Sequence, residues 1–553
     1  MIIRSTMTVT KSMPRVRRAM VVAEHPLAAE AGAAVLAKGG NAVDAAIATA
    51  FATTVVEPYM STVAGGASLL IHLAKRGETV AIDANVQAPA ACHERSFALG
   101  EGLVQDLFTW PKVQGDANIF GARAVAVPGS VAGLCLALER YGTWDLADVL
   151  APAIRLAEEG FVPDWCVALT MAVYSAELRT FPEAARTYLR DGEHIHRPPF
   201  LGEGDRLRQP DLAKSLSLLA RSGPAAFYRG EIAERIQTYL QAQGGWLTRE
   251  DLAGYAAEPL PPLTGRYRGV TLAFMPGATG GITALQTLNL LAEFPSERVG
   301  HDTLGGLRLR AAAVQWAYQE RLRLLGDARA VESPWARLSS ATHAAEEARR
   351  LRRGARPTPT TSAQDGGGHD CTTHVGVIDR QRNMVALTNT AVGLFGSRMV
   401  VPGTGILLNN GMIWFNPEPG QPNSVGSRKR PLVNMVPVLA FQNDAPALTL
   451  GAPGGRKIVS AIPQVLSNLI DLRETLQAAI EAPRLHTEGG DLWVDERVGS
   501  ARLAGLKRFG YAVVPKEAGI AKLFFSRPIG IRIRRDGLEA GLDPGSVAAA
   551  AGM

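Results

Sequence analysis

The amino-acid sequence predicts a mixed α/β (α+β) fold. Three observations carry this: helical periodicity through most of the first 325 residues, an alternating or apolar strand texture after residue 371, and a polar stretch between them without apolar periodicity. At 553 residues the chain has room for three to four domains of about 150 residues each.

From His25 to Val56, Ala28, Ala31, Val35 and Leu36 recur at helical spacing, and Lys38-Gly39-Gly40 stops the helix. Asn41 then caps a second helix, Ala42 to Thr54, with Asp44 in its first turn. Thr62 to Leu73 passes through Gly65-Gly66 into an apolar strand, with Thr79 to Ile82 as a partner strand. Ala122 to Leu138 reads as a short strand, a Pro128-Gly129 turn and a helix, and helical patterns then run from Leu146 to about Leu240. Arg268 to Phe274 reads as a strand and Thr283 to Leu291 as a helix, the pattern continuing to about Leu325. Residues 326–371 read as a flexible linker, Arg356 to Gly368 having no apolar pattern at all. Thr372 to Ile378 and Met384 to Thr390 then form a hairpin signal around Asp379 to Asn383. Further strands are expected at Ile406–Leu408, Val436–Ala440 and Ala447–Leu450. Helices follow from Ile458 and at Thr475–Ala479, and a hairpin-like part ends near Arg535. No internal repeat of about 20 to 50 residues is found.

Composition narrows the function classes. Hydrophobic residues make up 46% and charged residues 20%, which excludes a disordered, collagen-like or coiled-coil chain. No apolar run reaches the length of about 18 residues that spans a bilayer, and Met1 to Ala19 lacks a signal-peptide core, so a cytoplasmic protein without membrane contact is expected. The net charge of +6 rests on 48 arginines against ten lysines spread along the chain. The one dense basic cluster, Arg349 to Arg353 with Arg356, has no interleaved aromatics, so nucleic-acid binding is not expected. Cys92, Cys135, Cys166 and Cys371 fit neither a zinc site nor a disulfide framework, and no metal or cofactor is expected. Cys135 and Cys166 read as core residues, and His194, His196 and Glu158-Glu159 as surface ones.

The sharpest local feature is Gly366-Gly367-Gly368-His369-Asp370-Cys371-Thr372-Thr373-His374, where a linker ends and a strand begins at a threonine. β-branched residues favour strand entry, which gives a structural reading. In a catalytic reading the chain is cut before Thr372. The freed α-amine, of pKa about 7.7–8.0, then takes the hydroxyl proton, so one residue supplies nucleophile and base.

The chain resembles the γ-glutamyltransferase family of N-terminal-nucleophile hydrolases. The matching stretches include Lys38-Gly39-Gly40-Asn41-Ala42-Val43-Asp44, Ala64-Gly65-Gly66, Val127-Pro128-Gly129-Ser130 and Gly280-Gly281-Ile282. They continue with Thr372-Thr373-His374, Leu408-Asn409-Asn410, Lys429-Arg430-Pro431-Leu432 and Ala452-Pro453-Gly454-Gly455, in order from roughly Met20 to Leu506. The resemblance implies a four-layer αββα sandwich and a precursor that cleaves itself into a large segment, 1–371, and a small one, 372–553. The two would stay together as a heterodimer forming one interleaved domain, with further dimerisation open. Thr372 matches the nucleophile, Thr390 the threonine that hydrogen-bonds it and assists processing, and Thr373 the second threonine of the motif. Gly454 and Gly455 match the pair whose N–H groups form the oxyanion hole.

The sequence departs from the family at the substrate ligands. Asn85 stands where the family has the arginine that binds the γ-glutamyl carboxylate, and Trp414 where it has the aspartate that binds the amine. Gly411 replaces a glutamine, Val392 an asparagine, and Val433-Asn434 a pair of serines. Each lost charged hydrogen bond costs about 1.5–3 kcal/mol. The expectation is therefore an amide hydrolase acting on a small-molecule amide that is not γ-glutamyl. Two branches of the family offer precedents: one takes the acyl amides of cephalosporins, the other small amides such as oxamate. Arg398 is a candidate carboxylate partner, with a solvent-exposed arginine as the alternative; Asn85 and Asn434 are candidate hydrogen-bonding ligands. A glutathione hydrolase or γ-glutamyltransferase with relocated ligands is the alternative function. An unprocessed scaffold fits less well, because Thr372, Thr390, Gly454 and Gly455 are all present.

Overall fold

The computed structural model describes residues 9–104, 110–354, 371–520 and 524–553. Fourteen strands build its two main sheets. In chain order they are β1 (Arg15–Val16), β2 (Met20–Ala23), β3 (Gly66–Leu73), β4 (Glu78–Ala84), β5 (Glu258–Leu260), β6 (Leu263–Tyr267) and β7 (Val270–Phe274). They continue with β8 (Thr373–Ile378), β9 (Met384–Thr390), β10 (Val438–Gln442), β11 (Ala445–Gly451), β12 (Ile529–Arg534), β13 (Gly537–Leu542) and β14 (Ala549–Gly552). One sheet has the order β14-β2-β8-β9-β3-β4-β5, the other β1-β13-β12-β11-β10-β7-β6, and every pairing in both is antiparallel.

The two sheets pack face to face. Met20, Val22, Leu70, Ile378, Met384, Leu439, Phe441, Ile529 and Ile531 fill the space between them. Helices α1 (Pro26–Ala37), α2 (Ala42–Val56), α3 (Ser130–Tyr141) and α4 (Leu146–Glu159) cover the outer face of the first sheet. Helices α5 (Gly281–Ala292), α6 (Leu304–Leu324), α7 (Arg456–Ile470) and α8 (Leu476–Glu481) cover that of the second. The result is four layers, helix-sheet-sheet-helix. Each sheet draws strands from both sides of residue 371.

Local chemistry explains α2, the helix that supports the site. The Asn41 side chain accepts from the Val43 and Asp44 N–H groups while Asp44 accepts from the Asn41 N–H, a closed capping box. All fifteen residues of α2 are buried, which its alanine-rich composition permits by letting neighbouring backbones come close. The helix ends at Glu57, beneath the start of β8.

Register then fixes which side chains meet. Along β8, Val375 and Val377 pack toward the helices, whereas His374 and Ile378 face the other sheet. Thr373 pairs with Asn389, so Thr372 lies level with Thr390; Thr390 pairs with Gly66, and Ala67 with Ala84, so Asn85 lies level with Gly66. In the second sheet Val438 pairs with Leu450, so residues 433–437 and 452–455 run side by side at one end. Gly451 joins the two ends: a Cβ there would lie 2.1 Å from the His374 ring.

The structure departs from the sequence expectation in three places. Residues 326–354 are not a linker: they contain helices Trp335–Leu338 and Ala341–Arg352, the latter burying Ala344 and Ala348 against the second sheet's helical layer while its arginines face outward. The remainder of the expected linker, 355–370, lies outside the described residues. His196 is buried rather than a surface residue, and the short edge strands β1, β5, β6 and β14 carried too little pattern to be read.

The close sheet-to-sheet approach at Gly451 is testable. Gly451→Ala is expected to cost about 1–3 kcal/mol through overpacking against His374, read as a lowered unfolding midpoint in urea at unchanged slope. An unaltered midpoint would mean that the two sheets do not close here.

Candidate active site

Thr372 sits buried, immediately before β8. Its hydroxyl donates to the carbonyl oxygen of Cys371, the residue before it. The Thr390 hydroxyl donates to the same oxygen from 2.9 Å. Two hydroxyls therefore converge on the carbonyl of the 371–372 peptide. Thr390 is itself fixed: its Oγ1 accepts from the Val392 N–H at 2.8 Å and its own N–H donates to Asn389 Oδ1 at 3.0 Å. Cys371 is anchored by a 3.2 Å contact from its Sγ to the Met60 carbonyl. A Cβ on Gly65 would come within 2.1 Å of the Thr390 carbonyl oxygen, so glycine is required there for the strands to close on the site.

Two titratable groups flank this threonine, each for a different reason. Thr373 faces the helical layer and donates to Glu57 Oε2 at 2.9 Å. Burial and then the neighbouring Glu24 hold the Glu57 carboxyl well above its ordinary range. Glu24, likewise buried, is pushed up to about 8, chiefly by desolvation. His374 faces the opposite way, with Nδ1 2.9 Å from the Thr388 hydroxyl, and complete burial pulls it down to about 3. It is neutral at any physiological pH and packs as a structural ring. Glu57 had no signal in the sequence beyond being a lone acid after twelve apolar or small residues.

Gly454 and Gly455 lie in the loop between β11 and α7, both with positive φ, 128° and 55°. A Cβ on Gly454 would come within 2.8 Å of Ser526 Cα, so both backbone angle and space require glycine. Among the described residues neither N–H has an internal acceptor, and Gly455 opens the fifteen-residue α7. Two free N–H groups at a helix N-terminus suit a developing negative charge.

The residues at the expected ligand positions fall into two groups. Val392, Trp414 and Val433 pack into one buried apolar cluster with Val86, Ala126, Met412 and Phe415. Val392 has a φ of 85°, rare for a β-branched residue. Gly411 is a packing requirement: a Cβ would lie 2.7 Å from both Ala126 Cβ and Val86 Cγ2. Asn85 and Asn434 are the polar members, 2% and 4% exposed. Asn85 Nδ2 donates to Asp83 at 2.6 Å, and Asp83 is ion-paired to Arg430 at 2.5 Å. Asn434 Oδ1 accepts from Arg321 at 3.0 Å.

Arg398 corrects both readings of it. It is buried, not exposed, and its guanidinium is already engaged. It pairs with Glu177 at 2.7 Å, donates to the Leu394 and Gly396 carbonyls, and stacks between Phe120 and Tyr174. It holds the 394–398 turn rather than a substrate carboxylate. Among the described residues no three His, Cys, Asp or Glu side chains converge as metal ligands would.

Stacked antiparallel sheets between helical layers define the fold class of the N-terminal-nucleophile hydrolases. The γ-glutamyltranspeptidase family model matches residues 28–553, and the chain belongs to that family. It is 38% identical over 505 residues to the acylase ACY 1 proenzyme of Pseudomonas sp. (strain SE83), covering 91% of this chain and 88% of that one. It is 34% identical over 522 residues to the glutathione hydrolase proenzyme of Escherichia coli (strain K12), covering 91% and 87%. The crystal structure of a cephalosporin acylase from Bacillus halodurans superposes with a TM-score of 0.86 at 26% identity, over 100% of this chain and 98% of that one.

The depressed His374 has a sign that can be checked. Its folded pKa of about 3 lies below the unfolded value of 6.5. Below pH 6.5 the unfolded chain takes up a proton that the folded chain does not, so stability falls as pH drops toward 3, by at most about 1.4 kcal/mol per unit. His374→Gln is expected to flatten this acid-side loss in thermal melts; an identical slope would show that His374 is not the group responsible.

Proposed function

We propose that the protein is a self-processing amide hydrolase with Thr372 as nucleophile. The observation that carries this is the convergence of the Thr372 and Thr390 hydroxyls on the Cys371 carbonyl. Thr372 Oγ attacks the Cys371 carbonyl carbon, and the negative charge gathers on the oxygen that Thr390 already holds. Collapse breaks the C–N bond, the nitrogen takes the hydroxyl proton, and an ester joins Cys371 to Thr372 Oγ. Water hydrolyses the ester, leaving a carboxylate on Cys371 and a free α-amine and hydroxyl on Thr372. The fragments would have 371 and 182 residues and remain interleaved.

The processed enzyme runs the same chemistry on a substrate amide. The α-amine takes the hydroxyl proton as Oγ attacks, the Gly454 and Gly455 N–H groups receive the oxyanion, and the proton passes to the leaving amine. Water then releases the acyl group. The acyl group is not γ-glutamyl: neither Asn85 nor Trp414 carries a charge, and Trp414, Val392 and Val433 join one buried apolar cluster. The relative named an acylase and the cephalosporin acylase structure support acyl amides of that kind, ahead of the oxamate type. The identity to glutathione hydrolase proenzymes favours a second reading, γ-glutamyl hydrolysis or transfer with relocated ligands.

Intact mass and N-terminal sequencing test the first step: two chains, one beginning at Thr372, are expected in place of a 58.8 kDa species. Thr372→Ala should stay whole and inactive; cleavage or hydrolysis surviving in it would overturn the assignment. Thr390→Ala removes one donor to the oxyanion and should slow processing by about 10²–10³-fold. For the processed enzyme, kcat/KM should rise with pH up to the amine pKa of about 7.7–8.0, because only the neutral amine accepts a proton. Turnover of γ-glutamyl-p-nitroanilide matching that of cephalosporin-type acyl amides would favour the second reading.

A further inference from the structure

Two buried asparagines at the expected ligand positions are each left with one unsatisfied atom, and in each case a charged neighbour dictates which. Asn85 has Asp83 beside it, 2.6 Å from Nδ2 and 3.0 Å from its backbone N–H. Asp83, paired with Arg430, only accepts hydrogen bonds, so the Asn85 amide must turn Nδ2 toward it. Its Oδ1 is left buried without a partner. Ser68, 3.3 Å from the same Nδ2, reinforces that orientation.

Asn434 is held the opposite way. Arg321 is fully buried and, among the described residues, forms no ion pair; it spends its guanidinium on three neutral acceptors. These are the Thr279 carbonyl at 2.9 Å, the Val433 carbonyl at 2.7 Å and Asn434 Oδ1 at 3.0 Å. A guanidinium only donates, so Asn434 must present Oδ1 to it, and its Nδ2 is left buried without a partner. A flip of either amide would bring donor against donor or acceptor against acceptor. An unpaired buried polar atom costs about 1–3 kcal/mol, so each is a demand for a ligand atom of one kind.

The two demands border one apolar cluster. Val86 and Val433, the neighbours of these asparagines, pack in the same apolar cluster with Trp414. We infer that this cluster and the two asparagines line a pocket that takes an acyl group ending in a neutral function with both a donor and an acceptor, such as a primary carboxamide. Asn85 Oδ1 receives its N–H and Asn434 Nδ2 donates to its carbonyl oxygen. A carboxylate would set an anionic oxygen against Asn85 Oδ1, and an ammonium a donor against Asn434 Nδ2. Asp83 and Arg321 are positioning residues that act through the two asparagines. The inference rests on the acyl-amide reading above and specifies its substrate.

Three p-nitroanilides of matched shape test it: those of glutaramic acid, glutaric acid and 5-methylhexanoic acid. The processed enzyme is expected to favour the glutaramyl compound over each of the others by about tenfold or more in kcat/KM. A smaller advantage, or a preference for either other compound, overturns the inference. Where none is turned over, calorimetric binding of the same three compounds supplies the ranking. Turnover of any of them, with a new N-terminus at Thr372, reports on the hydrolase reading separately from this ranking. Asn85→Arg should reverse the order toward the glutaryl compound; an unchanged order counts against the role of Asn85. Arg321→Lys cannot fork across three acceptors, and should raise KM for the glutaramyl compound about tenfold while moving that of 5-methylhexanoyl less than about twofold. A parallel rise in both would mark a purely structural arginine and overturn its positioning role.

Discussion

Everything at this site depends on the pairing of β8 with β9. That ladder sets Thr372 level with Thr390 and turns both hydroxyls into the space between the sheets, onto one carbonyl oxygen. A slip of one residue in β8 would reverse its faces and send Thr372 toward the helices, away from Thr390. The surroundings are arranged to prevent it: β2 pairs the other edge of β8, β3 the other edge of β9, and α2 packs behind them. Gly65 and Gly451 let neighbouring backbone come close where a methyl group would hold it away.

In the proposed reading, one scaffold changes its selectivity without disturbing its chemistry. The groups around the 371–372 peptide come from β8, β9 and the loop that opens α7, whereas the pocket walls come from residues 85–88, 392, 411–415 and 433–434. These are connecting segments at the ends of strands, where a side chain can be exchanged without breaking a ladder. Trp414, Val392 and Val433, where the family has an aspartate, an asparagine and a serine, add buried apolar area there. The surviving polar atoms, on two asparagines, then decide more because so few are left.

Much of this was legible in the sequence because it is local. Capping residues marked the start of α2, alternation marked β8 and β9, and glycine pairs marked the tight approaches. The four-layer arrangement followed from the family resemblance, since no periodicity reports how sheets stack. What escaped detection was long-range. Arg321 is an ordinary arginine in a helical pattern until a residue 113 positions away is seen to need it. Glu57 is a lone acid until Thr373 meets it across 316 positions. Arg398 read as a free charge because its partner, Glu177, lies 221 positions away, and the helix Ala341–Arg352 was hidden by its arginine-rich outer face.

The alternation of strands from either side of residue 371 has a consequence for the lifetime of the molecule. In one sheet β8 and β9 stand between β2 and β3; in the other, four strands from the second part stand between β1 and β7. Neither part can form a complete sheet alone. Once the connecting peptide is cut, recovery from unfolding requires two chains to meet, so it becomes dependent on concentration where folding of the intact chain is not. Cleavage would thus turn a reversible fold into a kinetically held one: the enzyme would persist because its parts separate slowly, and a molecule that lost its partner in dilute solution would not be rebuilt.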